Sequence, residues 1–392
     1  MIFPLEIWEH IFLYIDPLTL INMRITCKYW KNIIDQILQR STLWYKLCKN
    51  EIPENLWSTL CETLNSKKFY TDFHEKHDAK FWLAMYKLWI KCKTMTKCDT
   101  QSECVEIPIE TPLEHITCID TSENLIVIGS SEGYIYFYNT PDQTQISECA
   151  VDHMEFVQSV KIIRDETNVI CVSCSINNHI SFWDVNSLQL VNGTRGKLIC
   201  TSYSYCYIAL HNIISIEGGI PRRTYEFDKD NVLAIGANYD RVLLYTERGY
   251  FVNLSLEGNK NDCIYAYARP PNIRIRQYHV FKPNIVTCIT DYGYVGFLVQ
   301  GQKWKIYNVF STLCGTPTAI LVYGHILVLG LDTGYVHIFY VNDFRKINFE
   351  TITSKKLYYN RSSVISLNIM VIAEEYHLIV GHRKKLYHVK FM

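Results

Sequence analysis

Apolar residues in the first forty positions recur at helical spacing in three short runs. In the first run they fall at positions 4, 5, 8, 11, 12 and 15, which form one broad face of an α-helix. Asp16 is placed to cap a second helix, with Pro17 in its first turn, that runs to about Arg24. A third helix follows Thr26, with apolar residues at positions 30, 33, 34, 37 and 38. The pattern therefore predicts a unit of three helices.

So small a unit has too little interior to bury all of these side chains. We therefore expect much of its apolar surface to face something other than the unit itself. An ordinary N-terminal bundle that packs on its own domain is the alternative.

Several segments of this unit match a known motif in order and spacing. They are Pro4-Leu5-Glu6-Ile7, Ile11-Phe12, Tyr14-Ile15-Asp16, Leu20, Cys27-Lys28 with Trp30, and Leu43-Trp44. Together they resemble an F-box, with Thr26 at a position where the family usually has valine. The resemblance implies an element that binds the Skp-type adaptor of an SCF (Skp–cullin–F-box) ubiquitin ligase and, through it, a cullin–RING ligase.

The resemblance also implies which side chains serve adaptor binding. They are Pro4, Leu5, Ile7, Trp8, Ile11, Phe12, Ile15, Leu20, Cys27 and Trp30. Some of them must be internal to the three-helix unit, and we expect Trp30 to be one of these.

Helical patterning continues from residue 51 to residue 95. Asp78 is a plausible cap for a helix that runs to about Lys93. The apolar face of this helix comprises Phe81, Trp82, Met85, Leu88, Trp89 and Cys92. The pattern lapses between residues 94 and 104, and two prolines follow, so we place a domain boundary there. The predicted domains are the F-box at 1–48, a helical linker at 49–104 and a β-rich body at 105–392.

One sequence pattern recurs through this β-rich domain: an apolar strand, a tight polar turn and a second apolar strand. Residues 126–139 set the form and residues 327–340 repeat it closely. Looser copies occupy residues 170–184, 233–245 and 378–389, and fainter ones lie near 206–216 and 285–299. This gives seven units of about forty residues each, although six or eight remain open.

These recurring patterns resemble WD repeats, and Trp183-Asp184 preserves the signature Trp-Asp pair of that family. The fold class predicted is therefore a multidomain α plus all-β chain: a three-helix F-box, a helical linker and a WD-like β-propeller. Another all-β repeat fold is the rival. Propellers often close with a strand from the start of the repeat region, and residues 104–109 are a candidate partner for residues 387–391.

The composition of the chain limits which cellular compartments and which classes of partner we expect for it. The 39 basic and 39 acidic residues cancel, so nothing suggests binding to nucleic acid or to a membrane surface. The N-terminus lacks the pattern of a signal peptide, and no apolar run is long enough to span a bilayer. We therefore interpret the 15 cysteines as buried thiols of a cytoplasmic or nuclear protein.

Motifs that carry chemistry are scarce. Residues 74–77 read His-Glu-Lys-His, but a zinc-protease helix needs its two histidines four apart, so a solvated surface is expected. Cys171 and Cys174 form a CxxC with no second ligand pair at zinc spacing, so buried thiols are expected. Residues 218–223 form a Gly-led basic turn, for which we expect a solvated loop rather than a phosphate site. We expect no catalytic residue, no metal and no cofactor.

The order of F-box, helical linker and propeller resembles F-box/WD-type adaptors along the whole chain. It implies a non-enzymatic substrate receptor of an SCF ligase, whose propeller holds an unknown protein substrate on one open face. Related adaptors use converging basic residues there, and the basic group to consider is Arg195, Arg222, Arg223, Arg241 and Arg248. A scaffold that does not direct degradation is the alternative. An enzyme with a site in the central funnel has no supporting residues.

Overall fold

A computed structural model describes the chain in two compact units, Met1–Thr94 and Met95–Met392. The residues described are 4–64, 77–107, 111–140, 145–151, 155–164, 168–202, 205–217, 223–227, 230–238, 241–255, 264–282 and 284–392.

The first unit is helical. Its helices are α1 (Leu5–Phe12), α2 (Pro17–Met23), α3 (Lys28–Leu38), α4 (Ser41–Glu51), α5 (Glu54–Leu64) and α6 (Ala79–Thr94). The cap predicted for α6 is confirmed, since the Phe81 amide donates to Asp78 Oδ1 over 2.9 Å. Its predicted apolar face is confirmed as well: Phe81 is half-buried and the other five residues are buried.

Helices α4, α5 and α6 share an aromatic core. The Trp82 ring lies 5.0 Å from that of Tyr45 and 5.6 Å from that of Trp57, measured between centroids. The Trp44 indole donates to the Leu38 carbonyl over 2.9 Å, which joins α4 to the end of α3. The three predicted helices are therefore built onto a helical support rather than standing alone.

The second unit consists of seven four-stranded antiparallel sheets. Its strands are β1 (Thr100–Glu106), β2 (Ile116–Ser122), β3 (Leu125–Ser130), β4 (Tyr134–Asn139), β5 (Gln145–Val151), β6 (Val157–Arg164), β7 (Val169–Ser175), β8 (His179–Asp184), β9 (Gln189–Arg195), β10 (Leu198–Ser202), β11 (Tyr205–Leu210), β12 (Ile213–Glu217), β13 (Arg223–Glu226), β14 (Val232–Asn238), β15 (Arg241–Thr246), β16 (Tyr250–Ser255), β17 (Ile264–Tyr267), β18 (Ile275–Phe281), β19 (Ile285–Thr290), β20 (Tyr294–Val299), β21 (Lys305–Asn308), β22 (Pro317–Tyr323), β23 (Ile326–Leu331), β24 (Tyr335–Tyr340), β25 (Ser354–Tyr358), β26 (Ser366–Ile372), β27 (Glu375–Gly381) and β28 (Lys385–Phe391).

The sheets form a closed ring. Blades 1 to 6 are the successive groups of four strands from β2 to β25, and blade 7 is β26-β27-β28-β1. The first strand of each blade contacts the first strand of the next, and β26 of blade 7 contacts β2 of blade 1. The predicted propeller is confirmed, with seven blades.

Blade 7 is completed by a strand from the other end of the repeat region. Strand β1 pairs with β28 in antiparallel register, with Thr100 opposite Phe391 and Cys104 opposite Tyr387. The predicted closure by a strand from the start of the repeat region is therefore confirmed, but its register differs: within the two predicted segments only Cys104 and Tyr387 lie opposite each other. The strand extends back to Thr100, so the ring takes in part of the predicted linker, and residues 108 and 109 lie outside the described part.

Side chains alternate between the two interfaces of each blade, as period-two strands require. In β7, Cys171 belongs to a core cluster with Val127 and Phe137 of blade 1. Its neighbours Val172 and Cys174 belong to a second cluster with Ile208 of blade 3. The core of the ring is therefore a series of dry layers between blades.

The meander topology gives the ring two distinct faces. We call the strands of a blade a, b, c and d from the centre outward. The turns between b and c lie on the same face as the loops that connect successive blades, and we call this the b–c face. The turns between a and b and between c and d lie on the opposite face, the a–b face. Each turn residue can therefore be placed on one face from its strand neighbours.

Candidate functional site

Three aromatic side chains hold α1 against α3. The Trp8 ring lies 5.1 Å from that of Trp30, and the Phe12 ring meets Trp30 edge-on at 5.5 Å. Phe12 is fully buried, whereas Trp8 and Trp30 are half-buried. Such edge-to-face aromatic pairs stabilise a small core beyond the area that they bury.

Side-chain caps fix where the second and third helices begin. Asp16 Oδ1 accepts from the Thr19 amide over 2.9 Å. Hydrogen bonds from the Thr19 side chain and then from its amide lower the pKa of Asp16. The predicted cap is thus confirmed, with Pro17 in the first turn. Cys27 Sγ accepts from the Trp30 amide over 3.4 Å. Cys27 therefore begins α3.

The interior of this unit takes up about half of its apolar residues. Its fully enclosed core comprises Phe12, Leu20, Ile33, Ile34 and Ile37. Ile15 and Met23 pack at the margin of this core.

The remaining apolar side chains form an exposed face. In the described part of the first unit the exposed large apolar residues are Leu5, Ile7, Ile11, Leu13, Tyr14, Leu18, Ile25 and Tyr29. Tyr14 is 79% exposed and Ile25 is 88% exposed. Among the described residues from 30 to 94, no large apolar side chain is exposed. Exposed apolar surface so concentrated is typical of a protein interface.

A cavity of about 270 Å³ opens beside this face, between the end of α1 and the start of α4. Its lining residues are His10, Leu13, Tyr14, Arg40, Thr42, Leu43 and Lys46. Arg40 also pairs with Glu9 over 3.5 Å, which connects α1 to α4.

The family model described as the F-box domain matches residues 2–38. These residues are an F-box. The match ends with α3, so the F-box is the unit formed by α1, α2 and α3 together with its exposed apolar face.

The predicted adaptor-binding residues differ in how exposed they are in the F-box. The exposed ones are Pro4, Leu5, Ile7, Ile11 and Cys27, the half-buried ones are Trp8, Ile15 and Trp30, and the buried ones are Phe12 and Leu20. In this conformation Phe12 and Leu20 support the exposed face and offer no surface to a partner. Conversely, Leu13, Tyr14, Leu18, Ile25 and Tyr29 are exposed apolar residues outside the predicted set. In the sequence, these residues fall outside the apolar faces that the helical spacing predicts to be buried, and this position could have identified them as exposed.

Solved structures resemble the ring. A structure of U3-55K is 12% identical, with a TM-score of 0.55, and the match covers 75% of this chain and 98% of that one. The crystal structure of the RRP9 WD40 repeats is 12% identical, with a TM-score of 0.56, and the match covers 75% and 100%. No curated protein sequence matches the chain. The second unit is therefore a propeller of the WD40 type.

The predicted arginines do not gather on one face of this propeller. Arg195 ends β9 and Arg248 lies in the turn between β15 and β16, so both are on the b–c face. Arg223 begins β13 and Arg241 begins β15, so both are on the a–b face. Arg222 lies outside the described residues. The four described arginines are therefore divided between the two faces of the ring, two on each, and their role in substrate binding stays a prediction.

The two thiols of the CxxC are inert. Burial raises the pKa of Cys174 to about 12 and raises that of Cys171 well above its ordinary value. Both side chains therefore stay protonated at neutral pH and act as small apolar groups.

The other motifs offer no assembled site in the described part of the chain. Residues 74–76 and the Gly-led turn at 218–222 lie outside it, and His77 stacks on Phe81 at 3.9 Å. No group of three or more His, Cys, Asp or Glu among the described residues is placed to hold a metal ion. No described helix is both long and apolar enough to cross a membrane.

A polar cluster in the ring was missed by the sequence analysis. Asp120 on β2 accepts from the Ile162 amide over 2.9 Å, from Lys161 Nζ over 3.1 Å and from Asn368 Nδ2 over 3.1 Å. Burial opposes the charge of Lys161, but Asp120 raises its pKa above the ordinary value. The cluster joins blade 1 to blades 2 and 7, and it is structural.

Proposed function

We propose that this protein is the substrate-recognition subunit of an SCF-type ubiquitin ligase. An F-box followed by a WD40-type propeller suggests a protein of the F-box substrate-receptor type, an architecture typical of non-catalytic adaptors. The observation that carries the proposal is the exposed apolar face. All exposed large apolar residues of the first unit's described part lie between Leu5 and Tyr29, inside the matched F-box.

This face is suited to a Skp-type adaptor. Leu5 and Ile11 are 43% and 40% exposed on α1, so both have apolar area to bury on binding. Apolar anchors at the centre of a desolvated interface commonly cost roughly 2 kcal/mol or more each when truncated. Through the adaptor the chain would join a cullin–RING ligase.

We predict that the Leu5→Ala/Ile11→Ala variant loses most of its affinity for a purified Skp-type adaptor. The expected loss is about a thousandfold if the two terms add. Isothermal titration calorimetry of the full chain measures the dissociation constant directly.

The matched control is Ile176→Ala/Ile213→Ala, which truncates two exposed apolar residues of the propeller. It should bind the adaptor like the unchanged chain. Equal affinity of both double variants would contradict adaptor docking through α1.

The propeller would hold the substrate while the other ligase subunits transfer ubiquitin. The alternative is a scaffold that binds the adaptor or other partners without directing degradation. Deletion of residues 1–48 separates the two, because a receptor then ceases to promote the turnover of its substrate, whereas a scaffold keeps its function. Pulse-labelling of proteins recovered with the propeller measures that turnover.

The proposed role places the protein in the cytoplasm or the nucleus. It requires no catalytic residue, metal or cofactor of the chain's own. Its partners would be the adaptor, the cullin complex and a protein substrate, with no nucleic acid and no membrane.

A further inference from the structure

Four blades carry the same Gly-Tyr pair where strand c begins. The pairs are Gly133-Tyr134, Gly249-Tyr250, Gly293-Tyr294 and Gly334-Tyr335. Each glycine has a positive φ between 77° and 95°, a conformation that glycine adopts at little cost. The turn therefore sets a tyrosine at the b–c face of each of these blades.

In blades 4 and 6 this tyrosine has an aromatic neighbour on the same face. Tyr250 lies opposite Tyr267 of strand d, with ring centroids 5.6 Å apart. Tyr335 lies opposite Tyr358 in the same way, at 4.6 Å.

In blade 5 an aromatic residue, Phe310, packs against the glycine of the pair, Gly293. A Cβ on this glycine would lie 2.6 Å from Phe310 Cβ. Three successive blades thus present an aromatic rim, which comprises Tyr250, Tyr267, Tyr292, Phe310, Tyr335 and Tyr358.

Most exposed large apolar residues of the described propeller lie on this face. The exposed large apolar residues at the b–c face are Leu113, Phe156, Ile176, Ile213, Tyr250, Tyr267, Ile273, Tyr292, Tyr294, Phe310 and Tyr358. The others, Leu190, Val191 and Met392, lie on strand β9 and at the end of the chain, and none lies in a described a–b or c–d turn.

Unpaired positive charge lies along the same rim. Arg248, Arg269 and Arg361 are exposed on the b–c face, and within the described residues they form no ion pair. Lys356 already lies over the Tyr335 ring at 3.9 Å.

The acidic groups of these blades are engaged on the same face. Asp291 pairs with Arg274 over 3.3 Å, and Asp332 Oδ1 accepts from the Thr316 amide over 2.9 Å. Glu247 Oε2 accepts from Asn231 Nδ2 over 3.0 Å. Of these three, only Asp291 is paired with a basic side chain of the described residues, and Glu247 and Asp332 keep their charge. The exposed basic side chains on this face of the three blades, Arg248, Arg269, Arg274 and Arg361, exceed the three exposed carboxylates by one. The rim therefore presents aromatic surface with unpaired arginines beside it.

We propose that the aromatic rim of blades 4 to 6 binds an acidic segment of a partner protein. The inference rests on the proposed function and specifies where on the propeller the substrate is held. Tyrosine rings supply large contact area at low entropic cost, and the arginines supply charge-assisted hydrogen bonds to carboxylates. A polypeptide is favoured over nucleic acid because the whole chain has no net charge.

The test selects ligands from a displayed library of random short peptides against the full chain. The selected peptides should be rich in Asp and Glu with apolar residues among them. Their binding to the chain, measured by fluorescence anisotropy, should weaken as salt is raised. Neutral or basic winners would overturn the proposal.

Charge reversal locates the site. Arg248→Glu/Arg269→Glu/Arg361→Glu should weaken a selected peptide at least tenfold. The matched control, Arg241→Glu/Lys303→Glu/Lys346→Glu, reverses three charges on the a–b face and should leave binding unchanged. Equal weakening by both variants, or by neither, would overturn the site.

Tyrosine variants report on the rings and guard against misfolding. Tyr250→Ala/Tyr358→Ala should lose at least tenfold, whereas Tyr250→Phe/Tyr358→Phe should retain binding and the same melting temperature. Loss of binding in the Phe variant with an unchanged melt would overturn a role for the rings.

Two further probes exclude other ligand classes. Poly(U) RNA should not compete with the peptide. The peptide should bind with its Glu residues in place, without a phosphoserine in their stead. Competition by RNA, or binding only of the phosphorylated peptide, would overturn the assignment. Because no adaptor is present, these outcomes are independent of whether the F-box docks as proposed.

Discussion

Two histidines, one in blade 6 and one in blade 7, are buried where their charged form is disfavoured. His337 and His377 are 5% and 6% exposed. Burial, aided by Lys356, lowers the pKa of His337 to about 4. Burial, aided by His388 at 2.7 Å between ring nitrogens, lowers the pKa of His377 to about 4. Both are therefore neutral in the folded protein at physiological pH.

The stability of the propeller should fall as the medium is acidified. Below about pH 6.5 the unfolded chain binds a proton at each histidine that the folded chain refuses until about pH 4. Each histidine then removes up to about 1.4 kcal/mol per pH unit from the free energy of unfolding across that interval. Urea titrations at several pH values measure this slope.

Variants assign the slope to these residues. His337→Gln and His377→Gln should each flatten the pH dependence between pH 6.5 and 4 relative to the unchanged chain. Slopes equal to that of the unchanged chain in both variants would contradict the prediction.

Predictions about single residues succeeded where the two interacting groups are close together in the sequence. The caps at Asp16 and Asp78 depend on an amide three residues away, so the local pattern was sufficient. The Asp120 cluster could not be found in this way, because Lys161 and Asn368 come from other blades. Such partners meet only after the ring has formed.

At the scale of elements, the two most similar repeats share an inter-blade contact. Thr117 Oγ1 donates to the Val157 carbonyl of the next blade over 2.6 Å. Thr318 Oγ1 donates to the Val364 carbonyl in the same way. A glycine near the end of strand b lets the blades approach there: a Cβ on Gly129 would lie 2.7 Å from Val157 Cγ1.

Gly129→Ala should therefore destabilise the ring. The added methyl group must displace Val157 and Cys118, and overpacking of this kind costs typically about 1–3 kcal/mol. The control is Gly193→Ala on β9, whose Cβ would meet no atom closer than 3.7 Å. Denaturant unfolding compares the two, and equal stabilities would contradict the close approach.

Strong repeats were predictable because strands b and c are buried on both faces. Strand β3 is buried at every residue, so its run of apolar letters is unmistakable. The outermost strands were not predictable in this way. Strand β13 is short and mostly exposed, and its polar letters carry little pattern. The faces to which Arg223 and Arg248 belong were also hidden, since they depend on strand order.

At the scale of the whole molecule, one strand pair closes the ring. Strands β1 and β28 are paired along their whole lengths, from Thr100 opposite Phe391 to Glu106 opposite Lys385. Closure turns a row of blades, each in contact with its neighbours, into a single cooperative body.

Deleting residues 385–392 should abolish the sharp thermal transition of the propeller, because β1 loses its partner and blade 7 keeps only two strands. Differential scanning calorimetry measures the width of the transition. The control is Lys385→Ala/Lys390→Ala, which removes two solvent-exposed ion pairs of β28 and should leave the transition sharp, because exposed ion pairs contribute little to stability. A transition that stays sharp after the deletion would contradict closure by this pair.

Ring closure also imposes an order on biosynthesis. The F-box leaves the ribosome before the propeller and its contacts are local, so it can fold while the propeller is still being made. Strand β1 must wait through the synthesis of all seven blades for its partner. A chain that terminates early would therefore carry an F-box on an open row of blades. In the proposed receptor, only a chain translated through Phe391 would couple a finished substrate surface to the ligase.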